Sequence, residues 1–438
     1  MHHIRFRHAT LVFAALLLAG APALAQVCTK FVSEQGSGRV ASLERPARDL
    51  GNIAGDLEPG DVVCITGGTF NGRADSGADL ISVPVEIYGG FAPDFASRDP
   101  WGAHVTVLTG VHNAQNFTTD PRLMIDTSGF ATRLMQARGE ETVHTVVVDG
   151  VVIDNGPRNY YPDDEGSRII RQGTPSHTPT PESGGLVIRT GVDSTIVVRH
   201  VIVTNTAPTQ GAFAFYPGAK AEVTIEHSAA INNTGAGFHL ATAIAADDPN
   251  DFPRYHFANN ASIFTQKHSP FGSFGGSAIL LEGRISVEIT NSIFAFNDAF
   301  AIDNARRASD LVLLDNVFVA NAQGDYQEFD TVIDLDNIAD WALEVFDAFG
   351  NVRYDLEYDI SPEWGAFYGA RNVIDRNAAE AEVEVVESWA NTVRGFFGWN
   401  VQGTDLDVDS DVWLPRMSLT DVFAVAIDFE GTYGPVAP

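Results

Sequence analysis

The chain has 438 residues, 45% of them hydrophobic, and sets 57 acidic against 27 basic side chains for a formal net charge of −30. Such a surface repels nucleic acid and anionic membranes, which removes both from the expected partners. It also argues against a polyanionic substrate such as pectate or alginate unless a local basic groove or a bound metal reverses the field; the acid otherwise serves to keep an extracellular protein soluble.

The chain opens MHHIRFRHATLVFAALLLAGAPALAQ. Arg5 and Arg7 precede an apolar run from Leu11 to Gly20, and Ala23-Leu24-Ala25 forms a small-x-small site, the pattern of a secretory signal peptide cut before Gln26. The apolar run is short for a membrane span, no later stretch has the length or lack of charge for one, and Cys28 lacks a lipoprotein box around it. The expected location is outside the cytoplasm of a bacterium: extracellular, periplasmic or on the outer surface. In an exported chain the two cysteines, Cys28 and Cys64, are expected to pair; two free thiols are the alternative.

Residues 41–57 read as a short, Gly-interrupted helix with Leu43, Leu50, Ile53 and Leu57 at rough helical spacing. Pro59-Gly60-Asp61 marks a turn, and strands are expected at Val62 to Thr66, Val83 to Tyr88 and Val105 to Thr109. Past residue 140 a unit recurs: strand, polar kink, second strand, then Asn or Thr. HTVVVDGVVIDNG (144–156), TIVVRHVIVTNTA (195–207), VTIEHSAAINNTG (223–235), HFANNASIFTQKH (256–268), VEITNSIFAFND (287–298) and LVLLDNVFVANAQ (311–323) are its copies. With Asn205, Asn233, Thr265, Asn297 and Asn321 as phase markers, the period falls in the 20–50-residue range of repeat architectures.

Three short strands and their turns fill such a coil, and stacked coils bury a continuous apolar core that none buries alone. The expected fold is therefore all-β: a right-handed parallel β-helix with an N-terminal and a C-terminal cap. Ile289, Ile293 and Phe294 are expected to stack on Val312, Leu314, Val317 and Phe318, and the Asn markers to hydrogen-bond from coil to coil at a corner where Asn tolerates the left-handed backbone. A β-sandwich would lack the long-period self-similarity, and a propeller would show four strands per repeat.

Motifs within these units are familiar. GGSAI (275–279), FAFN (294–297) and FVAN (318–321) resemble the GGAI and FxxN repeats of polymorphic outer-membrane proteins. IYGGFAPDFASRDPWGAHVTVLTG (87–110) resembles the cap-proximal region of secreted bacterial right-handed parallel β-helix repeat proteins of the pectin-lyase-like group. The resemblance spans roughly 40–325 and implies the architecture; the fold itself carries lyases, hydrolases, epimerases, adhesins and stalks. The expected organisation is a signal peptide (1–25), an N-terminal cap with the first coils (26–110), β-helix repeats with loop insertions (111–325), and last coils with an acidic C-terminal cap region (326–438). No room is left for the membrane barrel of surface autotransporters, so release, or attachment through a partner, is expected.

The Asn-Thr-Asp, Asp-Asp and Arg-Ile-Lys sets of polygalacturonases do not stand at strand ends here, and an epimerase-type Asp-Pro-His-Glu is absent. Asp163-Asp164 and Asp247-Asp248 lie in Pro-rich insertions and read as solvated charge. A lyase needs a base for a proton α to a uronate carboxyl and a cation for the resulting charge. The best local set is Lys267, His268 and Arg284, with Arg254 and His256 one coil earlier; Lys267 stands out because the chain has only three lysines. TDLDVDSDVW (404–413) puts Asp405, Asp407, Asp409 and Asp411 in alternation, one face of a strand, which reads first as an acidic solvent face; Ca²⁺ is the alternative, held by two of the four at strand spacing, and no cofactor is required.

The leading expectation is a monomeric, non-catalytic secreted or cell-surface β-helix protein with a structural or adhesive role. It would present the loops 157–183, 241–256 and 266–276 to an extracellular polysaccharide or surface protein, with Tyr160, Tyr161, Tyr255 and Phe271 as candidate glycan contacts beside Phe252 and Phe274. The rival is a carbohydrate-active enzyme, most simply a polysaccharide lyase using Lys267 and Arg284 with His268.

Overall fold

The computed structural model describes residues 28–73, 77–110, 120–129, 144–157, 184–206, 208, 211–243, 246–266, 275–304, 310–321, 323–329, 331–333, 347–354, 419–420, 422–423 and 433–438. These wind into three stacked sheets, one of ten strands and two of nine. Each full coil contributes one strand to each sheet in turn, and every ladder within the sheets is parallel except the last pairing, Gly324–Glu328 with Thr331–Ile333. The chain is a parallel β-helix.

A typical coil runs Ser286–Thr290 in sheet 1, Ile293–Ala295 in sheet 2 and Phe300–Asn304 in sheet 3, before Asp310–Leu314 returns to sheet 1. The polar kink of the repeat is the corner between sheets 1 and 2. There one residue per coil takes a left-handed backbone: Gly150, His200, His227, Asn259, Asn291, Asp315 and Gly350, with φ between 48° and 72°. The corner turns the chain without a loop, at a conformation only small or Asx-like side chains take readily.

A side-chain ladder then joins the corners. The N–H of Val201 donates to Ser228 Oγ (3.2 Å), Ser228 to Asn260 Oδ1 (2.8 Å), Asn260 to Ser292 Oγ (3.1 Å), Ser292 to Asn316 Oδ1 (3.0 Å) and Asn316 to Asn351 Oδ1 (3.0 Å). Ser and Asn alternate as far as Asn316, which Asn351 follows, and each Asn also donates back to the preceding coil, Asn260 to the Ile225 carbonyl, Asn316 to that of Ile289 and Asn351 to that of Leu313. A second ladder follows sheet 2: Thr206 N–H to Asn233 Oδ1 (2.9 Å), Thr265 N–H to Asn297 Oδ1 (3.0 Å) and Asn297 Nδ2 to Asn321 Oδ1 (2.7 Å). Four of the five phase markers belong to it. Asn205 does not; it is the left-handed residue one step earlier, aligned with Asn232, and Thr206 holds the ladder position.

The lumen is apolar along its length. Phe213, Phe238, Phe257, Phe294 and Phe318 form a column of rings with neighbouring centroids 4.5 to 6.3 Å apart, a stacking that adds to the area each ring buries. The expected stacking of Phe294 on Phe318 and Ile293 on Val317 is present, but Ile289 meets Leu313. Val312 and Leu314 point outward, because strand alternation allows inward side chains only at every second position. Ile293 belongs to a separate cluster on the outer face of sheet 2, where Val422 is buried and Leu419, Phe423, Tyr433 and Trp101 pack against the sheet. Gly434 N–H donates to the Asn291 carbonyl (2.8 Å). The described C-terminal residues thus lie along the side of the solenoid.

At the other end, the strand Lys30–Val32 begins sheet 1, and a disulfide joins Cys28 to Cys64 with Cα atoms 5.8 Å apart, as expected. The expected helix in 41–57 is two single 3₁₀ turns, Leu50–Asn52 and Ala54–Asp56. Gly51 and Gly55 break the run; Leu50, Ile53 and Leu57 still face the core, whereas Leu43 is exposed. The expected strands at 83–88 and 105–109 are Glu86–Phe91 and Thr106–Leu108. The signal peptide lies outside the described residues.

Candidate functional site

From the coil beginning at His144 onward, the passage from sheet 1 to sheet 2 takes one or two residues. The long connections 109–122, 155–185 and 267–276 lead from sheet 2 into sheet 3, and 127–143 and 241–253 lead from sheet 3 back to sheet 1. The long connections therefore all start or end at a sheet 3 strand, and strand ends that carry long connections are where binding groups concentrate.

The outer face of sheet 3 carries chemistry. Registers align Asp126 with Arg189 and Arg189 with Tyr216; Ala241 and Glu282 continue the column. The guanidinium of Arg189 lies over the Tyr216 ring, 5.1 Å from its centroid. Ala241 is small, and the space beside it is filled from the neighbouring outward position by His239, which is fully buried. His239 Nε2 stands 2.9 Å from Glu282 Oε2, and its Nδ1 stands 3.3 Å from the Tyr216 hydroxyl, with the two rings edge to face. An ionised carboxylate only accepts, so Nε2 carries the hydrogen; in the neutral ring Nδ1 then accepts from the phenol. Tyr216, His239 and Glu282 form a directed chain of hydrogen bonds over three successive coils. Asp126 is turned to its own loop, accepting from the Ser128 N–H at 3.1 Å and hydroxyl at 2.6 Å.

A second charged cluster sits at the corner between sheets 1 and 2. Asp149, 1% exposed, pairs with Arg98, Arg199 and His200. Burial alone would raise its pKa, but hydrogen bonds from His200, Arg98 and Arg199 overcome it and hold the carboxyl at about 2. His200 stacks on His227 (5.5 Å, 7° between planes), its carbonyl accepts from Trp101 Nε1–H (3.0 Å), and His227 Nδ1 accepts from the Val436 N–H (3.3 Å). Burial, then the neighbouring His200, holds the His227 pKa below its ordinary value. Every group here is engaged with another part of the fold: the cluster fastens the 92–105 loop and the C-terminal segment to the solenoid.

Among the described residues, those singled out from sequence lie on separate parts of the fold. Arg284 lies in the tight connection leaving sheet 3, half exposed, with Nη1 2.9 Å from Asp247 Oδ1 and 3.0 Å from the Ala246 carbonyl. Arg254 and His256 stand on the outer face of sheet 1, Arg254 3.3 Å from Glu222 and His256 between Glu222 and Glu288 at 3.7 Å each. Tyr255 is not a surface contact. It is 1% exposed, points into the lumen and donates its hydroxyl to the Ala241 carbonyl; alternation along Arg254–Ala258 sends it inward, and burial pushes its phenol well up. Phe252 is likewise buried. Lys267, His268, Tyr160, Tyr161, Phe271, Phe274, Asp163, Asp164, Asp405, Asp407, Asp409 and Asp411 lie outside the described residues. Among the described residues no three His, Cys, Asp or Glu side chains gather to hold a metal, and no helix is long and apolar enough to cross a membrane.

Sequence reasoning missed the sheet 3 column, although a signal for it exists. Aligning the small-residue pairs that open the sheet 3 strands, GGLVIR (184–189), GAFAFY (211–216) and SAILLE (277–282), puts Arg189, Tyr216 and Glu282 at one position.

Comparison with protein families gives no match, and comparison with curated proteins gives none. Solved structures do match. A pectin methylesterase from Erwinia chrysanthemi is 8% identical over 76% of this chain and 91% of its own, with a TM-score of 0.28. A pectate lyase is 12% identical over 76% and 82%, with a TM-score of 0.29. A rhamnogalacturonan lyase is 12% identical over 66% and 73%, with a TM-score of 0.25. None of these likenesses carries a residue role to this chain.

Proposed function

We propose that this is an exported carbohydrate-handling protein that holds an extended glycan along the outer face of sheet 3. The observation that carries the reading is the column Asp126–Arg189–Tyr216–Glu282 with His239 beside it, on the sheet whose strands the long connections join. Polar groups one coil apart repeat at about 4.8 Å, a spacing that lets a linear polymer meet several of them. Aromatic and guanidinium faces suit the apolar faces and hydroxyls of sugar rings. The disulfide supports export, since such bonds persist outside a reducing cytoplasm. The surface is acidic overall, so binding to a polyanion would depend on Arg189, and a neutral or weakly charged glycan is met with less repulsion.

Affinity electrophoresis of the full chain against neutral and uronate-containing polysaccharides tests this. The expected result is retardation by at least one polymer, weakened about tenfold by Arg189→Ala or Tyr216→Ala. Binding untouched by either change would move the site off sheet 3, and no retardation on any polymer would end the reading.

A further inference from the structure

We propose that the stacked pair His200–His227 is an acid-released latch for the C-terminal segment 433–438: the segment is held on the corner between sheets 1 and 2 while His227 is neutral, and lifts from it when His227 takes a proton.

The segment lies along that corner. Gly434 N–H donates to the Asn291 carbonyl (2.8 Å), and Val436 N–H donates to His227 Nδ1 (3.3 Å), two coils nearer the N-terminal end. Tyr433 packs against the apolar outer face of sheet 2, and Gly434 and Pro435 are buried. Val436, Ala437 and Pro438 are exposed. Among the described residues, the bond to His227 is the hydrogen bond that fixes this outer end.

That bond depends on protonation state. A ring nitrogen that accepts carries no hydrogen, so the bond exists only in the neutral ring with its hydrogen on Nε2. In the imidazolium both nitrogens donate. A proton on His227 therefore sets a donor against the Val436 N–H, and attraction becomes repulsion. The corner column shows that the backbone does not demand imidazole here. Its left-handed residues are Gly150, His200, His227, Asn259, Asn291, Asp315 and Gly350. Gly and Asn take this conformation more readily than His. Among these corners the imidazoles stand where Trp101 and the C-terminal segment pack.

The surroundings of His227 oppose its charge. His200 stacks on it, 5.5 Å away with the planes 7° apart, and Glu226 precedes it on sheet 1. Arg98, Arg199 and Asp149 stand behind His200, Trp101 of the 92–105 loop meets the His200 ring edge to face, and the C-terminal segment brings a backbone N–H. Burial, then His200, holds the His227 pKa below its ordinary 6.5 against the pull of Glu226. The bond is therefore complete at neutral pH and is lost as pH falls below 6.5.

Hydrogen exchange of the Gly434 and Val436 amides in the full chain tests this, each rate being divided by the intrinsic rate at the same pH. From pH 7.5 to 5 the protection of Val436 is expected to fall about three- to tenfold, the effect of losing one hydrogen bond. The amides of Glu222–Glu226 in sheet 1 are expected to keep theirs within about twofold. His227→Asn retains the left-handed corner, as Asn259 and Asn291 do, and removes the titrating group, so its Val436 protection is expected to be independent of pH. His200→Asn removes a charge that opposes protonation of His227, and is expected to move the loss to higher pH. Wild-type protection that stays flat over this range overturns the latch. A loss that persists in His227→Asn belongs to another group and overturns the role of His227. A parallel loss in Glu222–Glu226 means that the solenoid itself opens, and overturns a local release. A transition left in place by His200→Asn overturns the pairing of the two rings.

Discussion

Two edges of the solenoid are built on opposite plans. At the corner between sheets 1 and 2 the chain turns on one left-handed residue, and the next residue hands its N–H to a Ser or Asn of the following coil, repeated from Val201 to Asn351. At the borders of sheet 3 the connections vary from a few residues to the long insertions, and the outer column holds a different side chain in each coil. The corner has one problem to solve, the satisfaction of buried backbone N–H groups, and the same solution serves every coil. The sheet 3 face does not carry that demand because its ladder bonds are made within the sheet, so its outward residues can differ from coil to coil.

The first coils break this comparison. There the border of sheet 3 is as tightly fastened as any corner, by Arg122, which is fully buried. It bonds to the Asp79 carboxylate at 2.6 Å, to the Phe70 carbonyl at 3.0 Å and to the Thr109 carbonyl. Arg122→Met leaves Asp79 charged in a dry site and is expected to cost about 3–5 kcal/mol in chemical denaturation. Adding Asp79→Leu removes the stranded charge and is expected to restore much of the loss. A loss under ~1 kcal/mol for Arg122→Met would mean that the pair is solvated.

Asn316→Ala tests the corner itself. It strands the Ser292 N–H and the Ile289 carbonyl, both buried. At ~1–3 kcal/mol for each unsatisfied group, a loss of about 3 kcal/mol is expected. On the other edge Tyr216→Phe keeps the ring and takes the donor from one buried acceptor, His239 Nδ1, so about 1 kcal/mol is expected. Equal losses for the two changes would erase the distinction between the edges.

The same contrast explains what was legible in the sequence. Residues that solve a recurring problem recur, so the strand–kink–strand–Asn unit, the Gly-Gly openings and the coil length were readable. Gly275, for example, has φ +83 and leaves no room for a Cβ against Gly235. Register was less legible: Asn205 was aligned one residue off because Asn occupies both the left-handed position and the ladder position in neighbouring coils. Tyr216, His239 and Glu282 were not readable from local spacing. They lie 23 and 43 residues apart, the second interval enlarged by insertions at 241–253 and 267–276, and no motif relates them. Lys267 and Arg284 stand out through rarity and closeness in sequence; of the two only Arg284 lies within the described residues. Its guanidinium pairs with Asp247.

The charged cluster at Asp149 adds a pH dependence to the corner. Its folded pKa, about 2, lies below the ordinary 3.8. The folded state therefore binds fewer protons than the unfolded chain in that interval, and the stability this group supplies is complete above about pH 4. It is lost as pH falls through 4 to 2, by about 2 kcal/mol. His227 acts in the same sense at higher pH: its pKa is lowered on folding, so its contribution is full above about 6.5 and declines as pH falls below it. Urea denaturation between pH 7 and 3 is expected to show stability falling, with the Asp149→Asn variant losing the lower limb. A flat profile would mean that neither group differs between the two states.

The smallest effect is expected at the residue that sequence favoured most among those described. Arg284 is half exposed, and its partner Asp247 lies fully in solvent. Such a pair gains little Coulomb energy in water and pays side-chain entropy for it, so Arg284→Ala is expected to change stability by under ~0.5 kcal/mol. It stands in the connection after sheet 3, with its cation directed at the 241–253 loop and away from the Arg189–Tyr216 column. Glycan binding is accordingly expected to be unchanged within twofold in the electrophoretic assay that Tyr216→Ala weakens tenfold. A loss at Arg284 equal to that at Tyr216 would place the binding face on the sheet 3-to-sheet 1 border, and would make the insertion loops, rather than the strand column, the part of the molecule that meets the glycan.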